Sequence, residues 1–265
     1  MDAPLAVIFT LLGIAIGSFL NVCIDRLPAH QSPVSPPSRC DGCGRRLRLL
    51  DLIPIVSYLW LRGRCRYCRA PIPRRVLLVE VLGGAVFFLA FWRFGLSPQF
   101  GVTAFWSAVF LVIIFIDWEH QLILNVITYP AMVVALVILG ADSAWPGAGI
   151  LTNLELVPQP GILSGLIGGG IGFVFFLIVF LIAPRGIGIG DIKLAGLIGL
   201  VTGIPLLIVG LLTGILLGGI VAVFLILFRL KGRKDVIPYG TFLGIGPIVA
   251  MLWGADIYRW YLGLF

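Results

Sequence analysis

GILSGLIGGGIGFVFFLIVFLIA, residues 161–183, holds no charged side chain and nothing more polar than one serine. A helix needs about 20 apolar residues to cross a bilayer core of ~30 Å, so this stretch is long enough on its own. LLIVGLLTGILLGGIVAVFLILF at 206–228 repeats the pattern. Further apolar runs lie at 4–24, 76–92, 101–117, 124–140 and 240–258, and a shorter one at 191–203. The chain is 60% hydrophobic and only 12% charged, with mean hydropathy +1.10. That composition excludes an ordinary soluble domain. The expected fold is an all-α polytopic membrane protein of about eight transmembrane helices. The 191–203 span is short, and the Gly203-Ile204-Pro205 turn after it makes it tilted or incomplete, so seven or nine crossings remain alternatives.

Charge orients these spans. Residues 25–75 carry eleven of the nineteen Lys and Arg residues; Arg185, Lys193, Arg229, Lys231, Arg233 and Lys234 add six in later alternate loops. Only Arg93 and Arg259 fall on the other side, and the loop 141–160 has no Lys or Arg. Lys and Arg favour the cytoplasmic face. The amino terminus is therefore expected outside and residues 25–75 inside. Trp92, Trp253, Tyr258, Trp260 and Tyr261 then mark outer helix ends, where aromatic rings prefer the headgroup layer. The first 24 residues lack a basic start and a small-residue cleavage site, so they read as a retained span. Orientation explains the net charge of +7 without nucleic-acid binding, with attraction to anionic headgroups as a further consequence.

Four of five cysteines form Cys40-x-x-Cys43 and Cys65-x-x-Cys68. Paired knuckles at this separation suit tetrahedral thiolate coordination of Zn2+. Two disulfides are the alternative, but a cytoplasmic loop keeps its thiols reduced. A four-sulfur site has no open position, so the metal is expected to hold the fold. LLDLIPIVSYLWL (49–61) is apolar, broken by Pro54, and expected against the membrane surface or the bundle. Cys23 reads as a small buried side chain.

Asp117 and Asp191 stand at the ends of apolar runs. Carboxylates near hydrocarbon are costly and usually functional. Taken singly, Asp191 reads as a cap after the glycine turn of GIGIGDIKLA (186–195), and Asp117 as an interfacial acid at a helix end. Taken together, both fall at the same membrane level. Two carboxyls at close range share one proton, and such a pair can activate water against a peptide carbonyl. Gly188 and Gly190 would let a substrate backbone approach. Glu119 and Lys193 face the headgroup layer, where either can tune the site. Glu80 is expected to ion-pair with Arg74 or Arg75.

These residues resemble a known family, the bacterial type IV prepilin peptidases. Gly17-Ser18-Phe19-Leu20-Asn21-Val22 is similar to its first span, and RCDGCGRRLRLLDLIPIVSYLWLRGRCRYCRAPI (39–72) to its tetracysteine loop. PRRVLLVEVLGG (73–84) resembles the start of its second span, and Ile237-Pro238-Tyr239-Gly240 that of its last. Ile116-Asp117 and Gly188-Ile189-Gly190-Asp191 match its two aspartate motifs. The family often carries Leu-Pro-Asp after its first aspartate. Here Leu124 and Asn125 stand there, which removes a rival acid, and Glu119 matches the family's usual second acid.

The resemblance implies an aspartyl endopeptidase with Asp117 and Asp191 catalytic, cutting the basic leader from prepilins or pseudopilins at the cytoplasmic face of the inner membrane. It implies structural Zn2+ on Cys40, Cys43, Cys65 and Cys68. It also implies N-methylation of the new amino terminus with S-adenosylmethionine. No Rossmann-type glycine fingerprint is visible, which leaves the cytoplasmic loop and Glu80 as the place for a donor. Asp41, Asp51, Glu80 or Glu119 would read leader charge. The chain then divides into a first span (1–24), a zinc loop (25–75) and a protease bundle (76–265). A transporter using the aspartates for cations or protons is an alternative, although no internal repeat is evident and the cysteines go unexplained. A non-catalytic zinc-ribbon assembly factor is another.

Overall fold

The computed structural model describes residues 2–144, 161–183, 187–230 and 238–264. Arg185, Gly186, Lys231, Arg233, Lys234, Ile237 and the loop from 145 to 160 lie outside the described residues. The described chain is helical, with two isolated β-bridges and no strand. The helices are α1 (Ala3–Arg26), α2 (Val56–Trp60), α3 (Arg74–Phe94), α4 (Pro98–His120), α5 (Asn125–Ala144), α6 (Ile162–Ile182), α7 (Ile189–Thr202), α8 (Leu206–Leu227) and α9 (Tyr239–Leu262). All but α2 and α7 are long and apolar enough to cross a membrane, which makes seven candidate spans among the described residues. At 1.5 Å per residue α7 reaches about 21 Å, short of a ~30 Å core. The doubtful eighth span is thus a helix too short to cross alone.

Packing divides the chain at 96/97 into two compact units, Met1–Leu96 and Ser97–Phe265. In the first, α1 packs along α3. Gly13 and Gly17 on α1 meet Gly83 on α3, where a Cβ on Gly13 would stand 2.5 Å from the Gly83 carbonyl oxygen. Small residues four apart let two backbones touch, the usual way membrane helices gain packing without a hydrophobic driving force. Between these helices run a 3-10 turn at Leu49–Leu52, α2 and the cysteine knuckles.

In the second unit the short α7 is the centre. It packs on α5, α6, α8 and α9. Ile192, Leu194, Ala195, Leu197 and Ile198 are all buried. A helix apolar all round belongs inside a bundle, and α7 has no lipid-facing stripe to spare. Trp106, Phe110 and Ile113 of α4, Phe176 of α6 and Leu243 of α9 complete the core. Leu212, Leu216, Ile220 and Val223 of α8 point outward, as side chains facing hydrocarbon do.

Candidate active site

The site grows from the ends of three helices in the second unit. The last turns of α4 carry Asp117, 5% exposed. The helix stops at Gln121, whose left-handed backbone (φ 54°, ψ 41°) lets its N–H return to the Asp117 carbonyl. Asp117 Oδ2 accepts two hydrogen bonds from Thr241, one from the backbone N–H at 2.6 Å and one from Oγ1 at 3.0 Å. Thr241 is the third residue of α9, and Pro238 at the N-cap offers no side-chain acceptor. The first N–H groups of a helix need an outside partner. Asp117 supplies it from another helix, and its charge lies at the positive end of the α9 dipole.

Asp191 does the same locally. It is the third residue of α7, 7% exposed, and its Oδ2 accepts the Gly188 N–H at 2.8 Å. Both carboxylates therefore commit Oδ2 to a helix start. Ile123, in the turn after α4, brings the two starts together. A Cβ on Gly190 would lie 2.9 Å from Ile123 Cβ. One on Gly240 would lie 2.9 Å from Ile123 Cδ1 and 3.0 Å from Asp117 Cγ. Glycine is required at both places because Ile123 and Asp117 fill the room. The negative charge of Asp117 acts directly on Asp191, and that of Asp191 on the Tyr239 hydroxyl. The structure thus brings Asp117, Asp191, Gly188 and Gly190 into one locality, with both carboxylates buried and Gly188 exposed at its edge.

Of the expected tuning residues, Lys193 donates from Nζ to Asn125 Oδ1 and lies 5.5 Å above the Tyr129 ring. It ties the start of α7 to that of α5. Asn125, the departure from the family pattern, has a positive use here as the acceptor. Glu119 is exposed on the last turn of α4.

The first unit holds the other expected site. The Sγ atoms of Cys40, Cys43, Cys65 and Cys68 all lie within 4.8 Å of one another, so this group can hold a metal ion. Cys40 and Cys68 are 3.7 Å apart, close to the ~3.8 Å edge of a tetrahedron with ~2.3 Å metal–sulfur bonds. Each knuckle is a tight loop closed by a bridge, Arg39 with Arg46 and Arg64 with Pro71. The residue after each second cysteine is left-handed: Gly44 at φ 66° and Arg69 at φ 61°. The backbone N–H groups of Cys68 and Tyr67 hold the Cys65 thiol far below its usual range, at about 6, as a metal-binding thiolate requires.

Glu80 is 4% exposed on the second turn of α3. Among the described residues no guanidinium ion-pairs with its carboxylate. Oε2 accepts the Ile55 N–H at 2.7 Å, and Ser18 adds a side-chain hydrogen bond. Arg75 pairs with Asp25. The expected Glu80 ion pair is thus replaced because the loop folds back and offers an unsatisfied backbone donor. A cavity of about 520 Å³ opens here, lined among others by Asn21, Asp25, Asp51, Tyr58, Tyr67 and Glu80.

Comparison with known proteins matches residues 11–94 to the bacterial peptidase A24 N-terminal domain and residues 104–223 to the type IV leader peptidase family. A Pseudomonas putida protein named prepilin leader peptidase/N-methyltransferase is 32% identical, covering 94% of this chain and 91% of its own. This chain belongs to the type IV leader peptidase family. A Pseudomonas aeruginosa protein of the same name is 31% identical over 98% of this chain and 94% of its own. A Bacillus subtilis one is 28% identical over 97% and 98%. No solved structure matches. Within this leader peptidase, sequence reasoning passed over Thr241, Ile123 and Ile55. A lone threonine at the start of an apolar run is the only trace of the first, while the other two look like ordinary apolar residues.

Proposed function

We propose that this chain is a prepilin leader peptidase/N-methyltransferase of a bacterial inner membrane, with Asp117 and Asp191 as its catalytic pair. What supports the reading is that two buried carboxylates sit at two helix starts packed against the same Ile123, each with Oδ2 held by donors. Asp117, with two donors on one oxygen, holds the negative charge and takes a proton from water. Asp191, with one, carries the shared proton and donates it to the scissile carbonyl as the hydroxide adds. The tetrahedral species collapses when the leaving amine takes the proton held by Asp117. The carbonyl oxygen returns its proton to Asp191, and no covalent intermediate forms. The substrate is a prepilin or pseudopilin whose basic leader lies in the cytoplasm, with the amino terminus of the peptidase outside.

Cys40, Cys43, Cys65 and Cys68 hold a structural Zn2+; the thiolate set and the tetrahedral edge fit it. The cavity beside Glu80 takes S-adenosylmethionine, which when bound supplies the methyl group for the new amino terminus. Its volume is that of a small-molecule site, and Glu80, with no guanidinium paired to it among the described residues, complements a sulfonium while Tyr58 offers a ring face. Here the chain's own residues bind and orient.

Leader removal in reconstituted vesicles tests the pair. Asp117→Asn and Asp191→Asn should each lower the rate by about 10²–10⁴-fold or more with the protein still inserted. Normal cleavage by either variant would refute the assignment. Transfer of a labelled methyl group to cleaved substrate, lost in Glu80→Gln, tests the second activity.

A further inference from the structure

Residues 49–60 carry a surface that water does not explain. Leu49 is 85% and Trp60 80% exposed, and Leu50, Val56 and Leu59 are exposed beside them. Contiguous apolar surface of this kind marks an interaction site. The Glu80–Ile55 hydrogen bond fixes its depth. Glu80 lies six residues beyond Arg74, the first residue of the spanning helix α3, which is about 9 Å along the axis. The segment is tied by its middle, at Ile55, to that level of a membrane span. Interfacial helices bury their apolar faces about 5–10 Å into the headgroup and acyl boundary. Ile55 is held there at φ 61°, a backbone that β-branched residues avoid.

Next to Trp60 lies a second cavity of about 670 Å³, lined by Trp60, Leu61, Arg62, Arg64, Arg66 and Arg69. Arg66 is engaged by Asp51 at 2.7 Å. Arg62, Arg64 and Arg69 are exposed and have no ion-pair partner among the described residues. Three uncompensated guanidinium forks around one hollow suit a phosphate, and the neighbouring leucines and Trp60 suit the chains attached to it.

We propose that this rim is a binding site for an anionic phospholipid, with the phosphodiester among Arg62, Arg64 and Arg69 and the 49–60 segment lying in the interface. The proposal rests on α1 and α3 crossing the membrane and is independent of the peptidase mechanism. It gives the basic, cysteine-bearing loop a fixed seat on the membrane surface.

The test uses the full chain in detergent, titrated with phosphatidylglycerol or phosphatidylcholine and read by native mass spectrometry. The expected result is preferential retention of phosphatidylglycerol. Each arginine near an anionic surface is worth about fivefold, so the triple variant Arg62→Gln/Arg64→Gln/Arg69→Gln should weaken that binding by about a hundredfold. Phosphatidylcholine, whose phosphate is offset by its own choline cation, should lose much less. Retention of phosphatidylglycerol at wild-type affinity overturns the site. Displacement of the lipid by millimolar inorganic phosphate overturns the lipid as its ligand and leaves a soluble-anion site. If the triple variant misfolds, by metal content or circular dichroism, the single Arg62→Gln replaces it with a fivefold loss expected. In nanodiscs, lipids brominated near the headgroup should quench the emission that Trp60→Phe removes; absence of that quenching also overturns the proposal.

Discussion

Thr241→Val isolates one hydrogen bond. Valine keeps the shape of threonine and the backbone N–H that reaches Asp117 Oδ2 at 2.6 Å, but deletes the Oγ1 donor at 3.0 Å. That hydroxyl has one proton and two acceptors in reach, Asp117 Oδ2 and the Ile114 carbonyl at 3.3 Å; the charged, nearer one takes it. A hydrogen bond to a charged group is worth about 1.5–3 kcal/mol. Here the oxygen keeps its shorter donor and no cavity forms, so the lower end applies. About 1.5 kcal/mol corresponds to roughly tenfold in rate. The assay is leader cleavage by purified protein in vesicles, with kcat and KM separated. Thr241→Val should lower kcat about tenfold and leave KM nearly unchanged, because the lost contact is to the proposed base and not to substrate. Thr241→Ser, which restores the donor, should recover most of the rate. If valine cleaves as fast as serine and wild type, Asp117 does not depend on this donor and the reasoning fails.

Four further outcomes follow from other contacts in the molecule. Gly190→Ala places a methyl 2.9 Å from Ile123 Cβ and should depress cleavage, while adding Ile123→Ala should recover part of it; strictly additive losses would refute the contact. Asn125→Asp should retain cleavage and raise the melting temperature slightly, since a carboxylate would face Lys193; a fall in melting temperature would count against that pairing. Metal removal by chelation, or Cys43→Ser, should open residues 40–68 to protease, measured by fragment mapping. In the metal-free protein the depressed Cys65 thiol adds loop stability that is full above its ordinary 9.0. That contribution is lost as pH falls to about 6, so protease resistance should drop across that window.

Much of the fold was legible because apolar length is a direct physical demand of the bilayer. All eight runs became helices, and the short one, Ile189–Thr202, proved too short to cross for the reason its length suggested. The cysteine pairs were legible because four thiolates at knuckle spacing have few other uses. Side-chain partners across the bundle were not. Nothing in the run around Thr241 says that its N–H will be capped by a carboxylate 124 residues earlier. Glu80 beside two arginines looked like an ion pair, yet a folded-back loop outbid the guanidinium with a backbone donor. In the sequence Asn125 stands out only for the carboxylate it lacks, whereas in the structure it accepts from Lys193.

Each of the two acidic side chains also closes the open end of a helix, Asp191 at α7 and Asp117 at α9. An asparagine keeps an acceptor oxygen in either place, so on the proposed assignment the machinery would be disarmed without being dismantled. An amide-substituted form is thus suited to arrest an uncut precursor in place, where chemical cross-links could chart how its leader is gripped.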